Sequence, residues 1–162
     1  MDLDTFDGIP IHPLLVHLPV VLVPLAVVGL LLALLVRGWR RWAAPVALAL
    51  ALLASVGTYL AQESGPPLEE HIEDAEGGSE LLEEHTEMGE TLLPWVLVFT
   101  GLAGAAVALP VLAGDERRKQ LAKAVVPVLA IAAVAGGLAT WKVYEVGHSG
   151  ARAAWEDVAG GG

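Results

Sequence analysis

The chain has 162 residues, 55% of them hydrophobic, a mean hydropathy of +0.61 and a formal net charge of −10. So apolar a composition excludes an ordinary water-soluble domain, and the acidic balance excludes a nucleic-acid binder, which needs a basic face. Without cysteine there are no disulfides, no thiolate metal sites and no haem attached through sulfur.

The opening MDLDTFDGIP is acidic, whereas a signal peptide opens on a basic segment. The apolar run behind it is too long for a signal peptide and is followed by RGWRR rather than a small-residue cleavage site. It therefore reads as a membrane span. A spanning helix takes roughly 20 mostly apolar residues, and four segments meet that length, about 14–36, 42–61, 91–113 and 124–143. None carries an ionisable residue near its middle. Backbone groups in lipid must bond within their own segment, which calls for helices; the runs are too long for barrel strands. The expected fold is all-α, an integral membrane four-helix bundle forming one domain over residues 1–162.

The first span begins in IHPLLVHLP, residues 11–19. His12 and His17 are five residues apart, about 140° around an ideal helix, so they cannot serve one site unless the start is irregular. Pro13 suits a first helical turn, which leaves His12 just ahead of the regular helix. Pro19 removes a backbone hydrogen bond near His17 and bends the start of the span.

Seven of the nine Lys/Arg lie in two short connections, Arg37, Arg40 and Arg41 after span one and Arg117, Arg118, Lys119 and Lys123 between spans three and four. The positive-inside rule puts both in the cytoplasm, and both termini and the middle segment on the outer side of the cell (inner) membrane, the periplasmic face. Trp39 and Trp42 would mark the inner interface; Tyr59, Trp95, Trp141 and Tyr144 the outer one.

Eleven of the nineteen acids fall between Glu63 and Glu90, an acidic outer loop over 63–90. LEEHIE at 68–73 returns as LEEHTE at 82–87. Gly77 and Gly78 break the helix between them, and Ser79 caps the second piece. That piece can run directly into span three, where Pro94 can kink it. The echo reads either as two interfacial helical turns or as two His/Glu ligand sets. His71 reads as an exposed surface histidine, with a ligand role left open. His85 lies at the mouth of span three and can face the bundle interior. Span four ends in VGHSG, and the tail GARAAWEDVAGGG reads as a short amphipathic piece and a flexible end, with Trp155 on the membrane surface or against a partner.

On this topology all five histidines lie at the outer end. A compact bundle would gather His12, His17, His85 and His148 into one layer, with Glu63 at the end of span two as a fifth ligand or a carboxylate partner. The layer admits a haem b, whose iron accepts two imidazoles and whose ring needs a cleft lined by small residues such as Gly57, Gly101, Gly104, Gly136 and Gly137. It equally admits zinc, copper or iron held by imidazoles alone. A third reading has no cofactor: the histidines cap helices, pair with Glu84 or Glu145, or sense pH. The rim position counts against a haem, and the glycines are equally expected at tight helix contacts, including those of a homodimer. The apolar span centres argue against a transporter, and no serine sits in a nucleophile-elbow pattern.

The opening IHPLLVHLPVVLVPLAVVG, the acidic segment with its histidine and the closing GHSG resemble the bacterial membrane-protein family catalogued as domain of unknown function 2231. The resemblance covers nearly the whole chain. The opening motif and Gly147-His148 carry it, the acidic segment matching only loosely. Such proteins resemble four-span proteins and are sometimes joined to electron-transfer domains of the Rieske or cytochrome c kind. The resemblance implies electron transfer in the lipid bilayer, with a redox partner on the outer side.

Overall fold

A computed structural model describes the chain over residues 5–76, 79–112 and 115–159. It opens on a hairpin of two short strands, β1 (Thr5–Phe6) and β2 (Ile9–Pro10), paired antiparallel. Asp7 and Gly8 between them both have positive φ, 52° and 77°. Two consecutive left-handed residues make the hairpin turn favoured by an Asp-Gly pair.

Six helices follow: α1 (His12–Leu15), α2 (His17–Leu35), α3 (Arg40–Glu76), α4 (Glu80–Glu90), α5 (Leu92–Leu112) and α6 (Asp115–Ala159). Four stretches are long and apolar enough to cross a membrane, His12–Leu35, Arg40–Asp74, Glu80–Val111 and Lys123–Trp155. The protein is an all-α, four-helix membrane protein, as the apolar runs predict. The helices outrun the expected spans. The acidic segment is mostly helix, with α3 continuing to Glu76 and α4 beginning at Glu80. The expected break at Gly77-Gly78 and the expected flexible Gly160–Gly162 end lie outside the described residues.

Proline chemistry sets the interruptions. Pro19 has no N–H to close on the carbonyl of Leu15, and its ring pushes that carbonyl aside; the helix breaks at Val16, so α1 is a separate short piece. Pro94 likewise leaves the Glu90 carbonyl without its helical partner, and the chain breaks at Thr91 between α4 and α5. Gln62 of α3 fills that gap, its Nε2 donating to the carbonyls of Gly89 at 2.7 Å and Glu90 at 3.0 Å. Ser79 caps α4 as expected, accepting from the Leu82 N–H at 3.1 Å. At the opposite end Arg40 closes α2 by donating to the carbonyls of Ala33 at 3.0 Å and Leu34 at 3.4 Å.

The long helices form a square. α2 packs on α3 and α6, and α5 packs on the same two, so α3 and α6 lie diagonally across the bundle. The chain thus runs twice through one pattern: a short helix, a span, a basic connection and a second span.

Small residues allow the close packing. A Cβ on Gly57 would lie 2.5 Å from Leu18 Cβ, and one on Gly136 would lie 2.6 Å from Val27 Cγ2 and 2.7 Å from Phe99 Cε2. These glycines serve helix contacts. Gly101 and Gly137, by contrast, are exposed on the outer faces of α5 and α6. Phe99, Leu30, Leu129, Val23 and Val96 fill the bundle centre. One polar knot ties α3 to α5: Ser55 Oγ and Thr100 Oγ1 bond at 2.9 Å, and both donate to or lie against the Ala51 carbonyl. Tyr59, Trp95, Trp141 and Tyr144 are exposed near the histidine end and Trp39 and Trp42 near the basic end, the pattern of interfacial belts.

Candidate functional site

Two histidines share one local chemistry at the end opposite the basic connections. His12 is the first residue of α1, placed by the hairpin and by Pro13 in its first turn. Its ring is half-buried against α3. Nδ1 lies 2.9 Å from the Ala61 carbonyl and 3.2 Å from Ser64 Oγ. Ser64 Oγ itself donates to the Ala61 carbonyl at 3.1 Å. A carbonyl oxygen only accepts, so His12 Nδ1 must carry a hydrogen, and the neutral ring has its lone pair on Nε2.

His85 repeats this on the diagonal helix. It lies on α4, half-buried against α6, with Nδ1 3.0 Å from Ser149 Oγ. Ser149 Oγ donates to the Val146 carbonyl at 2.9 Å, so its oxygen is free to accept from Nδ1–H. His85 therefore has the same tautomer, with the lone pair on Nε2.

The two seats match residue for residue. Each is a helical carbonyl, a serine three residues on and a glycine after it: Ala61, Ser64, Gly65 on α3 and Val146, Ser149, Gly150 on α6. Both serines are buried, at 2% and 7% exposure, in helix faces turned to the bundle. Both glycines lie against an imidazole. A Cβ on Gly65 would be 3.5 Å from His12 Cε1, whereas one on Gly150 would be 2.8 Å from His85 Cε1. The two seats lie at the same end of the bundle, on the diagonal pair α3 and α6.

The other expected ligands are placed elsewhere. His17 is exposed, its Nδ1 2.6 Å from the Pro13 carbonyl, where it satisfies the backbone at the helix break. His148 is exposed and stacked on Tyr144, ring centroids 5.8 Å apart and planes 10° apart. It precedes the inward Ser149 by one residue, a turn of about 100° away from the bundle. Glu63 is exposed for the same reason, one residue before the inward Ser64. His71 is exposed on the last turns of α3. Among the described residues, no three His, Asp or Glu side chains come close enough together to hold a metal ion.

The residues that seat the imidazoles, Ser64, Gly65, Ser149 and Gly150, are not among the predicted ligands. Their signal in the sequence is the Ser-Gly pair that recurs in ESG at 63–65 and HSG at 148–150, at the far ends of spans two and four.

A family model described as a predicted membrane protein, DUF2231, matches residues 8–161, which takes in both seats and all four spans. No curated protein and no solved structure matches the chain.

Proposed function

We propose that this chain, which belongs to the DUF2231 family of predicted membrane proteins, is a haem b protein of the membrane that carries electrons, with His12 and His85 the residues that would hold the haem iron. The observation that supports this reading is the repeated seat. Each imidazole is anchored through Nδ1, His12 to the Ala61 carbonyl and Ser64 and His85 to Ser149, and such a partner fixes the tautomer and orientation of a ligating histidine. Each thereby offers Nε2, the nitrogen a metal takes.

The number of ligands favours haem over a bare ion. A zinc ion wants four donors and a catalytic one at least three from protein; a haem brings four of its own and asks for two imidazoles. Two seats on diagonal helices supply two. Bound there, a haem would supply one-electron chemistry. The protein's part would be to hold the two rings and fix the tautomer of each. Among the described residues, Lys142 and Arg152 are the Lys/Arg side chains at this end, both on α6 and lining one depression with Ser149. They are the cations available to the haem carboxylates, Lys142 in competition with Glu145 at 2.6 Å.

The positive-inside argument puts this site on the periplasmic face of the inner membrane, where a soluble redox partner could reach it. The test is an absorption spectrum of the protein purified in mild detergent, before and after dithionite, with metal analysis of the same sample. A Soret band that shifts on reduction, with resolved α and β bands, is expected. A spectrum of tryptophan and tyrosine alone, with stoichiometric zinc or copper, would transfer the site to a bare metal. Neither haem nor metal would leave the histidines as helix anchors.

A further inference from the structure

A second site lies at the other end of the bundle. Between α3 and α5, with Val125 of α6 beside them, a groove of about 400 Å³ lies where the basic connections emerge. Arg40 and Arg41 line it together with the apolar Pro45, Val107, Pro110 and Val125. Local chemistry accounts for the gap. Ala44 and Ala106 both line it with small side chains. Pro45 and Pro110 interrupt the hydrogen bonding of the two helices that border it.

The groove has two chemical parts. Its walls are hydrocarbon, and in a bilayer the matter that meets them is an acyl chain. Its rim is cationic. Arg40 is half-buried, with Nε and Nη2 committed to the end of α2, and its charge stays in place there. Arg41 is exposed and lies over the Trp42 ring, 5.3 Å from its centroid, so its guanidinium is held at interface level rather than trailing in water. A planar guanidinium pairs with phosphate in a forked geometry, and basic pockets between spanning helices are a recognised seat for anionic headgroups.

We propose that this groove is a binding site for one anionic glycerophospholipid, with its phosphodiester on Arg41 and Arg40 and one acyl chain along Pro45, Val107 and Pro110. The inference is independent of the haem reading and of which way the protein faces in the membrane.

Native mass spectrometry of the full chain in neutral detergent tests it. The protein is titrated with phosphatidylglycerol and with phosphatidylcholine of the same acyl chains. The wild type should bind phosphatidylglycerol about ten-fold more tightly. Arg41→Gln, an exposed position outside the packed core, should cut that preference about five-fold, the effect expected of one arginine at a membrane surface. Arg41→Lys should keep most of it. Val107→Trp should weaken both lipids by filling the groove, and glycerol phosphate without acyl chains should not compete. Equal binding of the two lipids, an unchanged preference in Arg41→Gln, or full binding by Val107→Trp would overturn the proposal. Displacement by glycerol phosphate would also overturn it, showing a simple anion site.

Discussion

Gly150→Ala is the substitution that separates the two seats. A new Cβ there would stand 2.8 Å from His85 Cε1 and 3.2 Å from both ring nitrogens, so the ring must retreat by about 0.6 Å to reach ordinary contact near 3.4 Å. The ring is pinned by the 3.0 Å bond to Ser149, and such a retreat stretches that bond past useful length. Overpacking of this kind costs about 1–3 kcal/mol, while alanine in place of helical glycine returns up to about 1 kcal/mol. The net change in stability is a loss of roughly 0–3 kcal/mol. Haem affinity should fall about 10- to 100-fold, the usual effect of disturbing the partner of a ligating histidine. Gly65→Ala is the control, because its Cβ would meet His12 Cε1 at 3.5 Å, an ordinary contact. It should keep haem and gain stability by up to about 1 kcal/mol. The assay is haem titration of the stripped protein, followed by thermal unfolding monitored by circular dichroism. If Gly150→Ala binds haem like the wild type, or if Gly65→Ala is equally damaged, the seats do not position the ligands.

Further substitutions probe the serines and the packing. Ser149→Ala should weaken haem binding about ten-fold, and Ser64→Ala should do less, because His12 also bonds the Ala61 carbonyl directly at 2.9 Å; equal losses would contradict the geometry. Thr100→Val removes the α3–α5 knot with Ser55 and should destabilise the bundle by about 0.6 kcal/mol in a detergent unfolding titration. Gly57→Val sets a side chain where Leu18 Cβ is 2.5 Å away and should cost about 1–3 kcal/mol or separate α2 from α3; a wild-type melting curve would show that the helices pack otherwise.

Much of the fold is legible before any coordinates. Four apolar runs, the basic connections and the cap at Ser79 all follow from composition and local chemistry. Pro13 and Pro19 account for the broken start, which sets His12 and His17 on separate helices, α1 and α2. The Asp7-Gly8 hairpin was equally readable, as a dipeptide that favours this turn. The site was less legible. Residue type alone nominates His148 and Glu63, but helical phase turns each outward and brings in its neighbour, Ser149 or Ser64. Phase depends on where a helix starts and how it leans on its diagonal partner, which a single sequence does not state. The glycines expected to line a cleft are similarly ambiguous: Gly57 and Gly136 are consumed by Leu18, Val27 and Phe99.

The most direct test is haem content in four single variants, His12→Ala, His85→Ala, His17→Ala and His148→Ala, each purified alongside the wild type and read by its reduced α band. His12→Ala and His85→Ala should lose the band, and His17→Ala and His148→Ala should keep it in full. Retention in His12→Ala or His85→Ala, or loss in His17→Ala or His148→Ala, would contradict the pairing of His12 with His85.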